Sequence, residues 1–234
     1  MLKDDIFTVS LQTLLFWTVL ITIKAVLFDL DGVLVDSTPA VARVWTKWAI
    51  AQGLSPESVV AKAHGRRSIE TIRAFAPHMN AEKENVKVEQ MEIDDREGVT
   101  ALPGALEILR ALPAERIAIV TSATRPLAEA RMGYAGLPIP KNMITAESVI
   151  QGKPFPEPYL KGAALLGFTP ADCVVVEDTP AGIDSGRRAG MRVIALQTTC
   201  PMAHLRAATV LVQSLEQVKL SSADSDITLK IFPA

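Results

Sequence analysis

From Ile23 onward, short apolar runs alternate with stretches of helical spacing, which is the mark of a parallel sheet with crossover helices. Ala25-Val26-Leu27-Phe28 runs into Asp29, Arg116-Ile117-Ala118-Ile119-Val120 into Thr121, and Cys173-Val174-Val175-Val176 into Glu177. Each is a β-rich hydrophobic strand that ends in polar residues, and in open α/β sheets ligands gather at the carboxyl ends of the strands. Residues 192–196 and 209–212 add further strands. Residues 103–112, 126–135, 157–166 and 181–189 read as connecting helices, with Gly104, Gly136, Gly167 and Gly190 near their ends.

Between Asp36 and Leu102 this rhythm stops, and no comparable β-rich run occurs. Residues 40–51, 56–63, 68–76 and 81–96 show helical spacing, the last so strongly charged that it is expected to face solvent. A helical module inserted straight after the first strand stands over the strand ends, where it can close over a ligand. The expected architecture is α/β, with a Rossmann-like parallel sheet over residues 21–36 and 103–220. The inserted helical cap spans 37–102, with hinges near 36–39 and 100–104. An N-terminal extension, 1–20, and a C-terminal tail, 221–234, complete the chain.

Composition narrows the functional classes. The 234 residues suit one large domain or a core with a smaller partner. Lys+Arg 24 against Asp+Glu 26 removes the overall basic field of a non-specific nucleic-acid binder, and a hydrophobic share of 49% excludes a disordered tail protein. Two cysteines, Cys173 and Cys200, make neither a disulfide framework nor a clustered metal pattern, so a reducing cytoplasm is the expected setting. The stretch 6–23 carries no charged side chain, yet Asp4 and Asp5 precede it where an export signal needs basic residues. Thr8, Ser10, Gln12, Thr13 and Thr18 interrupt it, and its length is marginal for a span. No membrane role is expected, and residues 21–28 are read as one buried strand.

The strand ends carry the candidate chemistry. Asp29-Leu30-Asp31-Gly32 places two carboxylates close together after a hydrophobic strand. Adjacent anions repel, so the pair implies a hard metal held by oxygen, a nucleophile beside an acid/base group, or a pair that only caps a turn. Glu177-Asp178 adds two more acids after a second strand, and Thr121-Ser122 adds hydroxyls and amides after a third. Lys153 supplies a cation in the proline-stiffened segment Gly152-Lys153-Pro154. Acids for a divalent ion, hydroxyls and amides for phosphate oxygens and a lysine to offset charge together describe a phosphoryl-transfer site.

With these motifs in this order, from about Ile23 to Val218, the chain resembles the haloacid dehalogenase superfamily. The similarity is to its capped sugar-phosphatase branch, which includes the deoxyglucose-phosphate and glycerol-phosphate phosphatases. The residues that carry it are Asp29-Leu-Asp-Gly-Val-Leu-Val-Asp-Ser37, Ile119-Val-Thr-Ser122, Gly152-Lys-Pro154 and Val176-Glu-Asp-Thr-Pro-Ala-Gly182. The resemblance implies hydrolysis of small sugar or polyol phosphates, and a cytoplasmic monomer is the expected form. Asp29 is then the nucleophile and Asp31 the acid/base. Mg²⁺ is implied at the Asp29 carboxylate, the Asp31 carbonyl and Asp178, with Glu177 nearby or acting through water, and Thr121, Ser122 and Lys153 hold the phosphoryl oxygens.

In the cap, Ala63-His64-Gly65-Arg66-Arg67 resembles the segment that reaches into the site, with Arg67 the first candidate for substrate contact and His64 and Arg66 next. Trp45 and Trp48, three apart on a helix, are expected in the cap core. The related phosphoglucomutases carry a cap histidine where this chain has Val41, which favours hydrolysis. Dehalogenases generally lack the acid/base residue present here as Asp31. A phosphonate hydrolase needs a cap lysine, and Lys47 and Lys62 lie in no recognisable context. Val33 stands where many of these phosphatases have Thr, away from the chemistry. A catalytically silent sugar-phosphate-binding protein is the alternative of another class, disfavoured by the intact acids and Lys153.

Overall fold

The computed structural model describes residues 18–223 and 225–233. Its centre is a six-stranded parallel sheet built from β2 (Ala25–Phe28), β5 (Ile117–Val120), β6 (Met143–Ile144), β7 (Cys173–Glu177), β8 (Arg192–Leu196) and β9 (Val210–Val212), in the order β6-β5-β2-β7-β8-β9. Every residue of β2, β5 and β7 is buried, as expected of strands covered on both faces. Alternation divides them between two cores. Val26, Phe28, Ile119 and Val176 face α5 (Ala105–Ala111) and α6 (Arg125–Tyr134), while Leu27, Val120 and Val175 face α7 (Glu157–Leu166) and α8 (Pro180–Arg188).

Four helices, α1 (Thr38–Ala51), α2 (Pro56–Ala63), α3 (Ser68–Phe75) and α4 (Ala81–Asp94), lie between β3 (Val35–Asp36) and β4 (Thr100–Ala101). They pack around their own apolar cluster, which contains Val44, Trp45, Trp48, Val59, Ile72 and Val88. Trp45 and Trp48 meet edge to face at 5.3 Å between centroids, and the Trp48 indole donates to Glu84 at 3.2 Å. The antiparallel β3–β4 pair ties the two ends of this cap together, at the segments expected to act as hinges. Helix α4 departs from the solvent-facing expectation, because Ala81, Glu84, Val88 and Glu92 are buried along one side.

The ends of the described chain also differ from the sequence reading. Residues 21–28 do not form one strand. They divide into β1 (Val19–Ile23) and β2, with Lys24 between them. The expected tail supplies half of β10 (Val218–Ala223) and all of β11 (Ile227–Ile231), and these join β1 in an antiparallel sheet in the order β1-β11-β10. Its alternating apolar positions Ile21, Ile23, Ile227, Leu229 and Ile231 are buried in the same core as α5 and α6. Most of the apolar stretch 6–23 lies outside the described residues. Among those described, no helix is long and apolar enough to cross a membrane.

Candidate active site

The chain leaves β2 with β5 on one side and β7 on the other, so the carboxyl end of β2 is the topological switch point of the sheet. Asp29 stands there, its amide bonded to the Val176 carbonyl at 3.0 Å. The ends of β5 and β7 deliver Thr121 and the Glu177-Asp178 pair beside it. Lys153 arrives from the segment before α7, with its Nζ 2.9 Å from Asp29 Oδ1 and 2.6 Å from Glu177 Oε1. Sequence positions far apart thus converge on one end of the sheet.

Glu177 is wholly buried and saturated with donors. Lys153 and the Tyr159 hydroxyl, at 2.9 Å, approach Oε1, while the amides of Asp178 and Thr179 and the Thr179 hydroxyl donate to Oε2. Burial opposes its charge, but Lys153 and these hydrogen bonds hold its carboxyl below the usual glutamate range. Gly182 makes the arrangement possible, because a Cβ there would lie 1.7 Å from Glu177 Oε1. With both oxygens so engaged, Glu177 is built to anchor Lys153 and the start of α8 more than to bind a metal directly.

Asp178 is different. Thr199 donates to its Oδ2, whereas its buried Oδ1 has no hydrogen-bond partner among the described residues. Gly32, at φ +80, brings the turn after Asp31 against this carboxylate, and a Cβ there would lie 1.9 Å from Oδ2. Burial drives the Asp178 carboxyl well above its ordinary pKa, and the charges of Glu177 and Asp29 add to the effect. Burial also lifts Asp29 to about 7; Lys153 opposes that rise, while Glu177 and Asp31 reinforce it. Oxygens of Asp29, Glu177 and Asp178 lie within 4.8 Å of one another. An unpartnered carboxylate oxygen beside a second costly carboxylate suits a hard divalent cation, which would relieve both.

Asp31 faces a cavity of about 40 Å³ between core and cap. Asp29, Thr121 and Ser122 line its floor; Val41, Trp45, His64, Arg66, Ser68 and Glu92 contribute walls from the cap. Ser37 donates to Asp31 Oδ1 at 2.6 Å, and Arg131 of α6 donates to Oδ2 at 2.8 Å. The Ser122 hydroxyl reaches across to the Gly65 carbonyl of the cap at 3.2 Å. Burial lowers the His64 imidazole below its ordinary pKa.

Asp29, Asp31, Thr121, Ser122, Lys153, Glu177 and Asp178 are therefore brought together, with His64 and Arg66 above them. Arg67, the first candidate for substrate contact, is not in this cavity. It precedes α3, where its Nε donates to Glu70 at 2.7 Å, and its other nitrogens donate to the carbonyls of Val149 and Ile150 at 3.3 and 3.2 Å. Its guanidinium is spent on fastening cap to core.

Arg131, Glu92, Tyr159 and Thr199 escaped the sequence reading. A signal for the first two did exist. Arg131 shares the buried side of α6 with Leu127, Ala128 and Met132, and Glu92 ends the buried stripe of α4, so each is a charge on an inward helix face.

Several known proteins are similar to this chain. Hexitol phosphatase A of Escherichia coli (strain K12) is 46% identical over 203 residues, covering 85% of this chain and 94% of the relative. Glycerol-1-phosphate phosphohydrolase 2 of Saccharomyces cerevisiae is 35% identical over 219 residues, covering 87% of each. A crystal structure of a hydrolase from Pseudomonas syringae superposes with a TM-score of 0.73 at 25% identity, over 82% of this chain and 94% of that one. The family model of the haloacid dehalogenase-like hydrolases matches residues 23–190, from the last residue of β1 to the glycine after α8, and the chain belongs to that family.

Proposed function

We propose that this protein is a Mg²⁺-dependent phosphatase that releases inorganic phosphate from small sugar or polyol phosphates. The observation that carries this reading is the placement of Asp29 at the switch point, against Lys153 and within reach of Asp178, with Asp31 lining the same cavity between core and cap. The Asp29 carboxylate attacks phosphorus. A bond from Asp29 oxygen to phosphorus forms while the ester P–O bond breaks, and Asp31 gives its proton to the departing alcohol. Water then attacks the aspartyl-phosphate as Asp31 takes up a proton, freeing phosphate and restoring the Asp29 carboxylate. Thr121, the Ser122 amide and Lys153 hold the oxygens over which transition-state charge spreads.

Asp29, Asp178 and the Asp31 carbonyl would hold the magnesium ion, which offsets the charge of the carboxylates and the phosphoryl group. Glu177 supports this set by fixing Lys153. The names of the relatives favour an open-chain polyol or small sugar phosphate as substrate. Val41, a cavity residue without a titratable group, favours hydrolysis over the mutase alternative. The complete site within one chain suits a monomer, and the free thiols of Cys173 and Cys200 suit the cytoplasm.

The test is phosphate release from a panel of hexitol, glycerol and hexose phosphates, with Mg²⁺ and after chelation. Wild type is expected to require the metal, and Asp29→Asn to lose at least about a thousandfold in kcat, the scale expected for a covalent nucleophile. Equal activity of Asp29→Asn and wild type would remove Asp29 from the mechanism.

A further inference from the structure

Glu92 and Arg131 line the cavity, yet the phosphoryl chemistry assigns neither a part. They meet at 3.3 Å across the boundary between cap helix α4 and core helix α6, with side-chain exposures of 4% and 6%. A buried ion pair is seldom the most stable filling for such a space, since well-packed apolar residues commonly serve as well or better. Its presence in the wall of a catalytic cavity calls for a functional reason. Arg131 also grips Asp31 at 2.8 Å, so one guanidinium spans from the acid/base residue to the cap.

We propose that Glu92, aimed by Arg131, is the specificity-determining acceptor for hydroxyl groups of the leaving alcohol. This rests on the phosphatase reading above. A carboxylate offers about four acceptor positions, and Arg131 and Trp45 use only part of them. Glu92 lines the same cavity as Ser37, His64, Ser68 and the acid/base candidate Asp31, so its remaining capacity belongs to the space open to the leaving alcohol. Arg131 is shared between Asp31 and Glu92 and offsets part of their charge, so the acceptor at Glu92 suits the hydroxyls of a neutral polyhydroxylated group over a second phosphate. An alcohol without hydroxyls would leave these buried polar groups unpaired, which is how a polar site rejects an apolar analogue.

The experiment compares kcat/KM for glycerol 1-phosphate with propyl phosphate, and for glucitol 6-phosphate with hexyl phosphate. Each pair keeps an alkoxide leaving group and differs in the hydroxyls beyond it, so a general effect on Asp31 acts on both members. In Glu92→Gln the polyol-to-alkyl ratio is expected to fall about tenfold or more, the scale of a hydrogen bond to a charged group, and Glu92→Asp should recover part of it. A ratio within about twofold of wild type overturns the proposal, because a purely structural pair would lower both substrates alike. Should Glu92→Gln fail to fold, wild type alone decides, since equal kcat/KM for polyol and alkyl phosphates also overturns it. Loss of polyol-phosphate hydrolysis by wild type itself would instead bring down the underlying phosphatase reading, and this proposal with it.

Discussion

Arg67 shows how one cap residue can act on catalysis without touching substrate. It binds the carbonyls of Val149 and Ile150, in the segment that leads to Lys153, and it lies beside Gly152, where a Cβ would come within 3.0 Å of its Nε. Arg67→Ala is expected to lower kcat roughly threefold to tenfold, the scale of one or two hydrogen bonds, by a similar factor on every substrate. Steady-state kinetics on three sugar or polyol phosphates checks this, and a change confined to one substrate would return Arg67 to the recognition surface. Sequence reading found the acids and Lys153 because each follows a recognisable strand or motif. It placed Arg67 on the wrong side of its loop because adjacent residues in a turn point in different directions, and only the fold separates Arg66 from Arg67. Glu92 and Arg131 were passed over because charge on a helix is ordinarily read as a solvated face, whereas here it lies on the buried one.

At the scale of elements, the long strands and helices were legible from alternation and from helical spacing with glycine stops. Helices α2 and α7 keep the expected boundaries. The two-residue strands β3, β4 and β6 are too short to leave a pattern of their own, and β10 and β11 follow a polar stretch that hides their pairing. The hairpin they make is structural. Leu229, 1% exposed, fills the core beside Ile21 and Ile23. Leu229→Ala is expected to cost about 2–5 kcal/mol, by lost burial and the cavity left behind. Leu20→Ala on the solvent side of β1, 64% exposed in wild type, should stay within about 0.5 kcal/mol. Urea unfolding measures both, and equal midpoints would mean that the hairpin does not close the core.

For the whole molecule, convergence of distant acids on one sheet end couples activity, metal and stability. Burial raises the carboxyls of Asp29, to about 7, and of Asp178, so the metal-free folded protein keeps protons that the unfolded chain releases. Stability from these two groups is complete below the unfolded value of 3.8 and is lost as pH rises through the raised folded values. Glu177, whose carboxyl is lowered, works in the opposite sense and loses its contribution as pH falls. A cation binds the deprotonated carboxylates, so Mg²⁺ should raise the Tm of chelator-treated protein more at about pH 8 than at about pH 5. Thermal unfolding with and without the metal tests this, and an equal shift at both values would place the ion away from these acids.

The sheet that joins β1 to β11 has a further consequence during synthesis. Thr22 and Thr228 face each other across it although they lie 206 positions apart. A ribosome therefore exposes Ile21 and Ile23 long before their cover has been made. The nascent chain carries this sticky edge while its helices form locally, and the seam shuts only when the distant hairpin arrives, a closure slow by its topology and open meanwhile to chaperones or to self-association.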